Sequence, residues 1–215
     1  MNLKNGADMR VKICGITNVE DALLCCSLGA DALGFIFYEK SKRNISYSKA
    51  EEIIQQLPSF IVKVGVFIER VKDEINDISQ KIGLNAVQLY GDGTQPMNSG
   101  INLPVIQCVR VKNDFDFSTI SKITNCSILL DTYSDIALGG TGESFDWQII
   151  PIELRDNIIL AGGISADNIE YIFMNINPAG VDLSSSVEST PGKKDEVKLK
   201  DFFDKINKLN LSKNE

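Results

Sequence analysis

The chain has 215 residues, 43% hydrophobic and 24% charged, a balance that supports a globular protein with a sizeable core. Its formal charge of −7 argues against a broad electropositive face for nucleic acid, yet leaves room for a small anion held by a few backbone N–H groups. It contains no histidine, which removes His-based triads, H-E-x-x-H zinc sites and histidine general bases.

Residues 1–9, "MNLKNGADM", are polar and read as a short flexible lead-in to a catalytic domain over 10–215. No run approaches the roughly 18 apolar residues of a membrane span, so no membrane partner is expected. The five cysteines (Cys14, Cys25, Cys26, Cys108 and Cys126) are odd in number and lack C-x-x-C spacing. They predict no metal site and a reduced, cytoplasmic setting.

Hydrophobic periodicity then alternates along the chain. "VKICGI" (11–16) reads as a strand, and "NVEDALLCCSLGA" (18–30) as a helix capped by Asn18 and stopped at Gly29. "DALGFIF" (31–37) precedes "SYSKAEEIIQQL" (46–57), a helix with the flavour of a capping box and Pro58 behind it. "FIVKVGVFI" (60–68) precedes "VKDEINDISQKIG" (71–83). "NAVQLYG" (85–91) precedes the weakest segment, 92–103, which glycine and proline break up. "PVIQCVRV" (104–111) leads to a helical 116–125, and "SILLDTY" (127–133) to a long loop and "DWQIIPIEL" (146–154). "NIILAGGIS" (157–165) leads to a helix over 166–176, and "AGVDLSS" (179–185) to the last helix, 195–209.

Strand followed by helix, eight times without a linker, predicts an α/β single domain: a closed (β/α)8 barrel. A doubly wound sheet would open on a glycine fingerprint, and the nearest match, "GDGTQP" (91–96), ends in Pro96. "STPGKKD" is no P-loop, because Val187 stands where the first glycine belongs.

In such a barrel, ligands bind at the C-terminal ends of the strands. Period two turns Lys12 and Cys14 inward on strand one, Asp131 on strand six and Asp182 on strand eight. Gln88 and Tyr90 are inward candidates on strand four. Strands eight and one become neighbours on closure, so Lys12 and Asp182 are expected to pair; that pair can serve structure alone or the chemistry. Cys14 likewise has two readings, a small buried hydrophobe or a base at the barrel mouth. The other four cysteines read as core.

Barrels use the loops after strands seven and eight for phosphate. Here Gly162 and Gly163 supply close backbone approach, Ser184 and Ser185 supply hydroxyls, and the loop after strand six adds Gly140 and Gly142.

"KICGIT" (12–17), "GADALGFIFYEKSKR" (29–43), "VQLYG" (87–91), "LLDT" (129–132), "GGTGESFDW" (139–147), "LAGGIS" (160–165) and "VDLSSSVE" (181–188) with "PGKKD" (191–195) resemble phosphoribosylanthranilate isomerases, in order along the chain. The resemblance implies a cofactor-free enzyme of L-tryptophan biosynthesis, monomeric or homodimeric. Its reaction is an Amadori rearrangement of N-(5-phosphoribosyl)anthranilate to 1-(2-carboxyphenylamino)-1-deoxyribulose 5-phosphate. It further implies Cys14 as general base, Asp131 as general acid and Arg43 as the residue that recognises the anthranilate carboxylate. The glycine loops and the serines would hold the phosphate. Two positions depart from the pattern: Tyr90 stands where the family commonly has histidine, and Ser186 where it commonly has glycine.

This chemistry asks for a carboxyl with a raised pKa and a thiol lowered from its ordinary range, the latter by Lys12 or a helix N-terminus. The enzymatic alternative is another phosphosugar barrel, such as an indole-glycerol-phosphate synthase, although that chemistry wants a lysine acid and an N-terminal extension. The alternative from another class is a barrel that binds a phosphosugar without turning it over.

Overall fold

The computed structural model describes residues 8–91, 96–132 and 145–212. Eight parallel strands form one closed barrel: β1 (Arg10–Cys14), β2 (Ala32–Ile36), β3 (Val62–Phe67), β4 (Ala86–Gly91), β5 (Val105–Val111), β6 (Ser127–Thr132), β7 (Ile158–Ala161) and β8 (Gly180–Leu183). The ring closes where β1 meets β8, with Lys12 opposite Asp182 in register.

Outside the ring stand α1 (Val19–Leu28), α2 (Tyr47–Ile54), α3 (Lys72–Ile82), α4 (Ile152–Arg155), α5 (Ile169–Tyr171) and α6 (Glu196–Ser212). The Asn18 side chain caps α1 by accepting from the Asp21 N–H, and Gly29 ends it at φ 107°. Ser46 caps α2 by accepting from Lys49 N–H. There is no capping box, because the residue three places on is a lysine and cannot return the bond.

Several helices are shorter than the periodicity predicts. Residues 117–122 form a 3₁₀ segment, Trp147–Ile149 another, and Pro151 separates the latter from α4. α5 runs on into a π-helical stretch, Ile172–Ile176. Residues 96–103 carry no helix. After β8 the chain makes a 3₁₀ turn (Ser185–Val187) and then a hairpin, β9 (Glu188–Thr190) with β10 (Lys193–Lys194), which the periodicity does not predict. Met9, placed in the lead-in by the sequence, is 2% exposed, and its N–H donates to Asn210 Oδ1 at 3.1 Å. Met9 therefore belongs to the packed fold.

Alternate strand residues sort into two cores. Val11, Ile13, Leu130, Val181 and Leu183 pack outward against the helices. Cys108, Leu129 and Ala161 face inward with Tyr90, Ile106 and Ile159 and fill one side of the barrel. The other side, where β1, β2 and β8 meet, holds charge instead of hydrocarbon.

Candidate active site

A cavity opens at the C-terminal mouth of the barrel. Its wall includes Cys14, Arg43, Gln88, Tyr90, Asp131, Gly162, Gly163, Asp182, Ser184 and Ser185, together with Ser41 and Ser186. One cavity thus gathers groups from β1, β4, β6, β7 and β8 and the loops behind them. Gly140 and Gly142 lie outside the described residues.

Cys14 ends β1 with its side chain inward, 6% exposed. Opposite it in register stands Gly34 on β2. A Cβ there would lie 2.7 Å from Cys14 Sγ and 3.1 Å from Lys12 Nζ, so the glycine makes room for both. Beneath the thiol, Lys12 Nζ donates to Asp182 Oδ1 at 2.9 Å, with side chains 5% and 8% exposed. Lys12 Nζ and Cys14 Sγ share the space left by Gly34, so the cation lies close to the sulfur. Burial opposes charge on this ammonium, but Asp182 and Cys14 together outweigh it and hold the proton more firmly than usual.

The expected lowering of the Cys14 pKa does not win. Burial pushes the thiol above its ordinary value, with Asp182 reinforcing it, while Lys12 and Lys194 pull the other way and recover only part. The resting group is a neutral thiol beside a cation. For Asp131 the expectation holds: burial first, and the nearby Asp182 charge second, raise its carboxyl to about 6, against a hydrogen bond from the Thr132 N–H. It is 6% exposed at the end of β6.

Gln88 is 2% exposed, and its Oε1 has no hydrogen-bond partner among the described residues; the same holds for Ser184 Oγ. Both residues line the cavity. Tyr90 packs beside Cys108 on the inner face, and burial drives both groups far above their ordinary pKa values. Both stay neutral across the physiological range.

Behind β7, Gly162 and Gly163 adopt φ 85° and 70°. A Cβ on Gly162 would collide with Thr132, so any side chain there is excluded on two counts. Asn168 staples the loop, donating to Gly163 O at 2.8 Å and accepting from Ser165 N–H at 2.9 Å. Ser185 opens the 3₁₀ turn after β8, whose first N–H groups have no partner within the turn.

Arg43 is where sequence reasoning falls short. Its stem lies across Gly15, where a Cβ would sit 2.6 Å from Arg43 Cδ. Its Nε donates to both oxygens of Glu188 at 3.0 Å, and Nη2 to Oε2 at 2.8 Å. Glu188 is in turn paired at 2.8 Å with Lys194 Nζ, which is wholly buried and also donates to Cys14 O at 2.7 Å. Glu188 and Lys194 stand inside the family-like stretches "VDLSSSVE" and "PGKKD", yet nothing local in those stretches says that the two pair with each other and with Arg43.

The description of the N-(5'-phosphoribosyl)anthranilate (PRA) isomerase family matches residues 11–205. The N-(5'-phosphoribosyl)anthranilate isomerase of Pelobacter propionicus is 43% identical over 196 residues, covering 91% of this chain and 94% of its own. The crystal structure of phosphoribosyl anthranilate isomerase from Thermotoga maritima superposes with a TM-score of 0.84 at 40% identity, covering 93% of this chain and 99% of its own. A phosphoribosyl anthranilate isomerase solved in complex with reduced 1-(o-carboxyphenylamino)-1-deoxyribulose 5-phosphate superposes at 0.81 with 39% identity, over 93% and 99% of the two chains.

Proposed function

The chain belongs to the N-(5'-phosphoribosyl)anthranilate isomerase family and isomerises that substrate in tryptophan biosynthesis; from this premise we propose that Cys14 and Asp131 carry the two proton transfers. The Amadori rearrangement needs an acid to protonate the furanose ring oxygen, so that the ring opens to a Schiff base. It then needs a base to take the proton from C2, giving an enolamine that tautomerises to the ketone. Asp131, with its carboxyl at about 6, keeps a useful share of its protonated form near neutrality and serves as the acid. In the reactive form the pair's one proton sits on Asp131 and Cys14 is the thiolate, which Lys12 stabilises; Cys14 then takes the C2 proton and becomes the thiol.

The observation that carries this reading is the single cavity shared by the thiol and the carboxyl, three strands apart around the ring. Arg43 and the Gly162–Gly163 loop border the same space. Arg43 receives the anthranilate carboxylate, and the loop amides with Ser184 and Ser185 receive the phosphate. Gly140 and Gly142 are proposed to add to the phosphate cradle. Gln88 Oε1 is placed to accept from a ribose hydroxyl. Tyr90, neutral and packed beside Cys108, offers a hydrogen bond in place of the family's histidine but no titration near neutrality.

The test is the fluorescence of phosphoribosylanthranilate. It should disappear on adding wild-type protein and persist, on the same timescale, with Cys14→Ala or Asp131→Asn. Near-wild-type turnover by either variant would remove the role assigned to that residue.

A further inference from the structure

Resting on that reading of the site, we infer that Lys194 is a positioning residue that sets specificity for the substrate's carboxylate, by neutralising Glu188 so that Arg43 keeps its charge for the ligand. Glu188 occupies the Nε side of the guanidinium, taking bonds from Nε and Nη2 at 2.8–3.0 Å. An arginine has five N–H donors, so both protons of Nη1 and one of Nη2 are left over. One proton of Nη1 and the free one of Nη2 form the end-on edge, which can itself hold a carboxylate bidentately. The Gly15 surface under the stem and the Glu188 carboxylate at the side fix which way that edge faces.

Orientation alone would not suffice. A carboxylate bonded directly to Arg43 would cancel its charge and repel a second carboxylate arriving at the far edge. Lys194 removes that obstacle. Its ammonium, wholly buried, meets Glu188 Oε1 at 2.8 Å, and the three side chains together carry one uncancelled positive charge. Burial alone would raise the Glu188 carboxyl, but Arg43 and Lys194 reverse this and hold it below its ordinary value, so it stays ionised. The hairpin that bears Lys194 is clamped independently, its N–H donating to Asp21 Oδ2 at 2.7 Å at the start of α1. A loosely held surface lysine would need no such support. The same ammonium bonds the Cys14 carbonyl, which ties the position of the base to that of the carboxylate clamp.

The experiment compares kcat/KM for phosphoribosylanthranilate with that for N-(5-phosphoribosyl)aniline, which lacks the carboxylate. The ratio of the two on one preparation cancels both the folded fraction and any change at Cys14. Lys194→Met, and Lys194→Gln, which retains a donor for the Cys14 carbonyl, should each lower the ratio at least tenfold, chiefly through KM for the carboxylated substrate. The double variant Lys194→Met/Glu188→Gln, which removes both charges, should recover most of it. A wild-type ratio in either single variant overturns the inference, and so does a double variant no better than the single one. Should neither single variant fold, the double variant carries the test: it must keep a ratio within a few-fold of wild type. Wild-type protein that turns over neither substrate would instead overturn the reading of the site itself.

Discussion

The two ends of the barrel are built from the same eight strands and are chemically unlike. At the base, a recess of about 370 Å³ is walled by Ala32, Val62, Val64, Ile106 and Ile159, and its ion pair, Arg10 with Asp31, is 69% and 31% exposed. At the mouth, inward strand positions carry a thiol and two carboxylates, the loop after β2 adds Arg43, and the pair between Lys12 and Asp182 is nearly sealed. A barrel can place uncompensated groups where a ligand will meet them only if the rest of the ring is stable without them. The hydrocarbon at the base and between the strands and helices supplies that stability, while the mouth bears its cost.

The largest expected separation between the two ends is in catalysis. Cys14→Ala and Asp131→Asn should each lower kcat/KM by about 10²–10⁴-fold or more, because each removes a positioned acid or base. Steady-state kinetics on folded variants checks this. Next comes the charge beneath the mouth. Lys12→Met strands Asp182 without a partner, and urea unfolding should show a loss of about 3–5 kcal/mol, the usual result of breaking a buried pair from one side.

Asp131→Asn should move stability in the opposite direction. The folded carboxyl titrates at about 6 against an ordinary 3.8, so the folded state holds its proton longer than the unfolded chain does. Stability is therefore lost as pH rises from 3.8 to about 6. The asparagine should regain about 2–3 kcal/mol at pH 7, taking 1.36 kcal/mol per pKa unit, and gain nothing below pH 4; thermal unfolding at the two pH values decides. In the active enzyme, the acid–base pair works with one proton, on Asp131. Hence kcat/KM should fall about tenfold per pH unit below pH 6, as the pair takes up a second proton, and again above the raised thiol value. A rate that is flat down to pH 5 would exclude Asp131 as the acid. The smallest effect belongs to the base: Arg10→Ala should cost at most about 1 kcal/mol, as an exposed pair does, and leave kcat/KM unchanged. A loss of activity there would blur the contrast between the ends.

Much of the mouth was legible in sequence because strand geometry is periodic. Once "VKIC", "LLDT" and "GVDL" are read as strands, period two alone turns Cys14, Asp131 and Asp182 inward. Closure of the ring then sets Lys12 against Asp182, as found. Less legible were the segments that do not repeat. The stretch 116–125 carries helical spacing yet forms only a 3₁₀ turn. The sign of the Cys14 shift also escaped, since it depends on how much water the folded barrel removes relative to the cation it brings.

What the sequence by itself determined was the order of strands and helices, the inward face of each strand and the residue types available for proton transfer. These follow from local periodicity and from the absence of histidine. What only the tertiary structure decided was how the charges are apportioned. Arg43 meets Glu188 across 145 residues and Lys194 reaches the Cys14 carbonyl across 180. Such pairings rest on distance and dielectric in the folded chain, quantities that no local pattern encodes.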